Sequence, residues 1–175
     1  KVWDKRFGGS GDDNLSSIVP TPDGDFVLVG LSESDAGGDK SEASRGDSDY
    51  WAVKIDASGN KVWDKRFGGS SSDLCRNVFA TADGGYLLVG LSDSGSVGDK
   101  SEVGRGDHDY WTVKIDALGN KIWDERLGGI GSDSCYDVIA TNEGNYILAG
   151  FSNSEASGDK SEDSRGDNDY WVLKI

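Results

Sequence analysis

Fourteen residues from Gly38 to Trp51, Gly-Asp-Lys-Ser-Glu-Ala-Ser-Arg-Gly-Asp-Ser-Asp-Tyr-Trp, return almost unchanged at Gly98 to Trp111 and again at Gly158 to Trp171. A period of sixty residues held over three copies constrains the fold more than any local pattern, because it means one supersecondary unit copied and packed against itself. The copies run Lys1–Asn60, Lys61–Asn120 and Lys121–Ile175, the last stopping short of a full period, and together they make a single repeat domain over 1–175.

Within each copy the apolar residues follow strand periods. Lys1 to Phe7 alternates, with Trp3, Lys5 and Phe7 on one face and Val2, Asp4 and Arg6 on the other, which predicts an edge strand exposed on one side. Leu15 to Thr21 predicts a second strand, closed by Asp23-Gly24, the dipeptide of a two-residue hairpin with positive φ angles. Phe26 to Leu31 is apolar at successive positions, so both of its faces are expected to be covered. After a long polar segment, Tyr50 to Ile55 alternates with Trp51, Val53 and Ile55 on one face, and the turn Asp56 to Asn60 leads into the next edge strand. Each period therefore codes for four strands and no amphipathic helix.

Composition agrees and excludes several functions. Twenty-six Gly, two Pro, six Trp and six Tyr suit a turn-rich β protein. A net charge of -14 opposes nucleic acid and anionic membrane surfaces as partners, and no apolar run reaches membrane-spanning length. Cys75 and Cys135 fall at one position of successive copies, where the first copy has Leu15. Equivalent positions of neighbouring sheets lie about 10 Å apart, beyond disulfide reach, so both are expected as small buried hydrophobes. The chain has no Met and opens on Lys1 in mid-pattern, so Lys1 is not expected to be a native start.

Read from Leu15, the order of strand, Asp-Gly turn, apolar strand, long loop, aromatic strand, turn and polar edge strand resembles the blade of a WD-type β-propeller, although Trp3-Asp4 sits on the outer strand and not the third. Thr-Ala-Asp-Gly-Gly-Tyr-Leu-Leu-Val-Gly (81–90) and Gly-Asp-Lys-Ser-Glu followed by Arg-Gly-Asp look like repeats of secreted or surface-displayed bacterial proteins, which implies the same location here. The resemblance implies an all-β propeller with three four-stranded blades per chain. Three blades are too few to close a ring, which usually takes four to eight. The chain begins on an outer strand and ends on a third strand, so residues 1–8 are expected to complete a blade with 170–175 of a second copy, giving six blades in a C2 homodimer. A fragment of a longer propeller, or a β-solenoid, is the alternative.

The long loop carries the candidate site. It keeps Asp39, Lys40, Ser41, Glu42, Arg45, Gly46, Asp47, Asp49 and their equivalents while neighbouring positions change. Asp39, Asp47 and Asp49, with Asp99, Asp107 and Asp109 and with Asp159, Asp167 and Asp169, offer hard oxygen ligands of the type calcium takes, although the EF-hand spacing is absent. The competing reading is an internal network in which Lys40 and Arg45 pair with Glu42, Asp47 or Asp49. Arg45-Gly46-Asp47 spells an integrin-type tripeptide, weak as a signal because duplication alone repeats it. Trp51, Trp111 and Trp171 are expected between blades, with a lectin-like use of the tryptophans the alternative. His108 falls where the other copies have Ser48 and Asn168, and no nucleophile is spaced to it. The expected function is a non-enzymatic binding or scaffold module, a secreted homo-oligomer presenting acidic loops to a cation, glycan or protein. A purely structural self-assembling unit is the second reading, and a carbohydrate-active enzyme the third.

Overall fold

The computed structural model describes residues 1–175 and contains eleven strands and no helix, hence none long and apolar enough to cross a membrane. They are β1 (Asp13–Pro20), β2 (Phe26–Ser32), β3 (Asp49–Ile55), β4 (Lys61–Phe67), β5 (Asp73–Ala80), β6 (Tyr86–Ser92), β7 (Asp109–Ile115), β8 (Lys121–Leu127), β9 (Asp133–Ala140), β10 (Tyr146–Ser152) and β11 (Asp169–Lys174). They form three antiparallel meanders in chain order, β1-β2-β3-β4, β5-β6-β7-β8 and β9-β10-β11. No sheet closes on itself. The four-strand unit predicted from the period is thus observed twice in full and once without its fourth strand.

Local chemistry sets the connections. Asp56 Oδ1 accepts the backbone N–H of Ser58 (2.9 Å) and Asn60 (2.8 Å), and Gly59 takes the positive φ of 77° that brings β3 back into β4. The turn after β1 differs from the sequence reading. No residue other than glycine has positive φ, so Asp23 cannot occupy the first position of a type I′ turn. Instead Gly24 N–H bonds Thr21 O at 3.0 Å and Thr21 N–H bonds Asp25 O at 2.9 Å, a wider loop in which only Gly24 (φ 87°) is left-handed. The side chain of Thr21 bonds Asp23, whose φ is not positive. The first strand of each sheet also carries a bulge: Ser16 and Arg76 have no partner across the ladder, and Tyr136 is skipped in the same way opposite Ala149 and Gly150.

The core lies between sheets. β5 packs against β1, β2 and β3 of the first sheet, and β9 against β5, β6 and β7 of the second. Tyr50 stacks on Trp111 with centroids 4.9 Å apart and donates its hydroxyl to Trp111 O at 2.9 Å, and Tyr110 repeats this on Trp171 at 4.9 and 3.0 Å. Because the middle sheet has a neighbour on each face, β6 is buried along its whole length, as its unbroken apolar run predicted, and so is β7, whose sequence alternates.

The outer sheets are covered on one face only. Leu15 is 63% exposed where its counterpart Cys75 is 1%, and Tyr170 is 98% exposed where Tyr110 is 0%. Lys1–Phe7, expected as an edge strand, forms no strand. It nevertheless lies across the first sheet as β4 lies across the second: Trp3 sits over Gly59 as Trp63 sits over Gly119, and Asp39 N–H bonds Gly8 O (3.0 Å) as Asp99 N–H bonds Gly68 O (3.0 Å).

Candidate functional site

The repeated loops meet the ends of the sheets and fasten each repeat to the next. Lys40, 3% exposed, turns inward and donates to Ser34 O (2.9 Å) and Ser44 Oγ (2.6 Å); Lys100 donates to Ser92 Oγ (2.9 Å) and Ser94 O (2.8 Å). Burial pushes the pKa of both ammonium groups down, against the pull of Asp49 and Asp13 on Lys40 and of Asp109 and Asp73 on Lys100. These lysines are internal struts for the loop and offer nothing to solvent.

The acid–base network expected within each loop exists, but its partners lie in other repeats and on the outer strands. Arg45 reaches Asp99 of the next loop at 2.7 Å, and Arg66 of β4 bonds the same carboxylate at 3.1 Å and Glu42 at 3.2 Å. Arg105 and Arg126 repeat the pattern on Asp159 and Glu102. Asp64 collects Ser41 N–H (2.8 Å), Trp51 Nε1 (3.2 Å) and Lys61 Nζ (2.8 Å), and Asp124 does the same with Ser101, Trp111 and Lys121. Burial would raise the pKa of these two carboxylates, yet the donors outweigh it and hold both below the usual range. An arginine shared between two repeats makes the loops a staple, since neither repeat satisfies its charges alone.

Beneath the loops, strand register aligns a row of polar residues of which the sequence pattern singled out only Asp49, Asp109 and Asp169. Asp13–Ser32–Asp49, Asp73–Ser92–Asp109 and Asp133–Ser152–Asp169 are directly paired across the first three strands of the three sheets. Neighbouring sheets place the rows end to end, so that both Asp109 Oδ1 and Asp133 Oδ2 crowd the point where a Cβ on Gly128 would stand, at 1.9 and 2.9 Å. Only glycine fits there. Asp49, Asp73, Asp109 and Asp133 are fully buried and each keeps an Oδ1 without a donor. Burial raises the pKa of Asp49 to about 6, helped by Asp73 and opposed by the Arg45 N–H and by Arg66. Asp73 and Asp109 are raised for the same first cause. The one signal available in the sequence was that Asp13, Asp73 and Asp133 are all aspartate in an otherwise changing strand.

The nine loop aspartates are therefore divided. Asp99 and Asp159 face two arginines each; Asp39 Oδ2 accepts only Gly8 N–H, at 3.2 Å. Asp49, Asp109 and Asp169 each cap the backbone N–H of Arg45, Arg105 or Arg165, at 2.6 to 2.8 Å. Asp47, Asp107 and Asp167 are exposed and lie outside these clusters. No three or more His, Cys, Asp or Glu side chains converge as a metal ion would require, and guanidinium groups already occupy the cationic position beside Asp99 and Asp159. In the Arg-Gly-Asp triplets, Arg45 and Arg105 are engaged, and Gly46 packs where a Cβ would meet Ser71 O at 2.2 Å. His108 Nδ1 lies 3.9 Å from Asp93.

Cys75 and Cys135 are buried free thiols, and burial pushes the Cys135 pKa up to about 12 and that of Cys75 higher still. Neither is expected to react with a thiol-specific chromogenic disulfide until the chain unfolds; reaction of either thiol in native buffer would show that the sheets part readily. No protein-family model matches the chain, and no curated protein matches it.

Proposed function

We propose that the chain is a non-enzymatic, ring-forming scaffold: a half propeller of three blades whose open faces are closed by a second copy, giving six blades about a two-fold axis. The observation that carries this reading is that contacts missing at one end have their counterparts waiting at the other. Arg6 and Arg165 have no acceptor for their guanidinium groups, whereas the equivalent arginines bond Asp99, Asp159, Glu42 and Glu102. Placing Lys1–Phe7 of one copy beside β11 of the other supplies the missing partners. Arg6 then meets Glu162, Asp4 receives Trp171 Nε1 and the Ser161 N–H, Arg165 reaches Asp39, and Tyr170 donates to Trp51 O.

Three cavities support the same arrangement, since all lie on the two open faces. One, of about 340 Å³, is lined by Phe7, Leu15, Leu31 and Trp51; another, of about 490 Å³, by Glu162, Arg165 and Trp171; the third, of about 450 Å³, by Tyr136, Phe151, Tyr170 and Val172. The first and third of these are mainly apolar, and left open they would invite aggregation. The repeated loops act in this reading as the staples between blades, and the secreted or cell-surface setting implied by the resemblance of the repeat belongs to the same proposal.

Sedimentation equilibrium at micromolar concentration is expected to give twice the 18.6 kDa of one chain, and removal of residues 1–7 to halve that mass. A single-chain mass for the intact protein, or a ladder of open polymers, would overturn the proposal.

A further inference from the structure

The guanidinium of Arg76 stands apart from the other arginines. Of the seven in the chain, four pair with carboxylates of a neighbouring repeat, and Arg6 and Arg165 lie at the open ends, where the repeat pattern names their acceptors. Arg76 has neither. It has no carboxylate within ion-pair distance and no hydrogen bond, although its Nε is wholly buried, and it lies over the ring of Tyr136 with 5.5 Å between guanidinium carbon and centroid. In a chain of net charge -14, a partly buried cation left unpaired by so many acids needs a reason.

Its position is also the place where the three copies diverge. From position 14 to position 20 of the repeat no residue is the same in all three, and the bulge itself holds Ser16, Arg76 and Tyr136. The outer strands, by contrast, keep Lys, Trp, Asp and Arg in every copy. Next to the bulge, a hydrogen-bonded row crosses all three sheets: Ser17 Oγ donates to Asn77 Oδ1 at 2.7 Å, and Asn77 Nδ2 donates to Asp137 Oδ1 at 2.6 Å. Tyr136 in turn leans on Phe151, with ring centroids 6.0 Å apart, so the platform under Arg76 is braced from below. A planar cation on an aromatic ring, flanked by an amide and hydroxyls, matches the bidentate geometry of a carboxylate.

We infer that Arg76, on its Tyr136 platform and beside Asn77 and Asp137, binds a carboxylate-bearing ligand, either a small organic acid or the acid group of a uronic sugar. The ligand's carboxylate accepts from the guanidinium, and sugar hydroxyls, where present, bond Asp137. Its residues all belong to one chain, although Tyr136 also lines a cavity on the open face that the second copy would cover.

Titration calorimetry with glucuronate, acetate and glucose as probes, each up to about 10 mM, separates the sources. Heat with glucuronate alone assigns an acidic sugar, and equal affinity for acetate assigns the free carboxylate; glucose is expected to be silent. Arg76→Gln should weaken the binding at least tenfold, and Arg76→Lys, which keeps the charge but loses the fork, should recover only part of it. Circular dichroism of both variants checks that the fold is retained. Binding that survives Arg76→Gln, binding of glucose equal to that of glucuronate, or no heat with either acid overturns the inference.

Discussion

Trp111→Ala is expected to lower the unfolding free energy by about 3–5 kcal/mol, the range for truncating a buried aromatic side chain. The indole is 0% exposed, stacks on Tyr50 of the preceding sheet and donates Nε1 to Asp124 at 3.1 Å. Its loss opens a cavity between two sheets whose backbones cannot close the gap without breaking the Tyr50–Trp111 O hydrogen bond. Tyr50→Phe, which removes only that bond and leaves the rings stacked, should cost about 1 kcal/mol. Trp3→Ala, at a position 43% exposed in one chain, should cost less than Trp111→Ala. Urea denaturation at a fixed protein concentration measures all three, because dissociation of any assembly would otherwise mix with unfolding. A loss below about 1 kcal/mol for Trp111→Ala would mean that packing between sheets does not hold the array together.

The same residue shows how far the sequence could be read. Trp111 was legible as an inter-sheet side chain because β7 alternates and its aromatic positions recur every sixty residues. The period gave the four strand types for the same reason: a copied unit repeats its errors and its signals together, so a weak alternation seen three times becomes a strong one. What escaped was whatever depends on which strand faces which. Asp73 and Asp109 stand thirty-six positions apart and become neighbours of Ser92 only when β5, β6 and β7 pair. Arg45 and Asp99 are separated by 54 residues, and nothing in the loop says that the base prefers the next copy's acid over its own. The Asp23-Gly24 turn was misread for a local reason: the Thr21 side chain engages Asp23, an interaction the dipeptide alone does not announce.

The buried carboxylates are expected to make stability rise as the solution is acidified from neutrality. For Asp49 the folded pKa of about 6 lies above the 3.8 of an ordinary aspartate, so its ionised form burdens the folded state. That burden is present above pH 6 and lifts as pH falls through 6 towards 4, with Asp73 and Asp109 moving in the same sense. The charges facing Asp49 are Asp73, which adds to the effect, and Arg66 and Lys40, which reduce it. Below about pH 4 the sign reverses. Asp23 and Asp83 are held near 2, chiefly by Lys54 for Asp23 and by Thr21's counterpart Thr81 for Asp83, so the stability they contribute above the ordinary carboxylate pKa is lost as pH drops towards 2. Maximum stability is therefore expected at about pH 4–5, more acidic than is usual for a globular domain. Asp49→Asn tests the cause directly. The amide oxygen still accepts the Arg45 N–H, and its NH₂ takes the place of the unpartnered Oδ1, turning a repulsion with Asp73 into a donor–acceptor contact. The variant should be more stable than the parent at pH 7 by up to about 3 kcal/mol, the rise from 3.8 to about 6 being worth about 1.4 kcal/mol for each pKa unit, and no more stable at pH 4. Urea midpoints at the two pH values decide it: an Asn variant weaker than the parent at pH 7 would show that the ionised carboxylate is balanced by its neighbours and that the buried row stabilises the fold in its charged form.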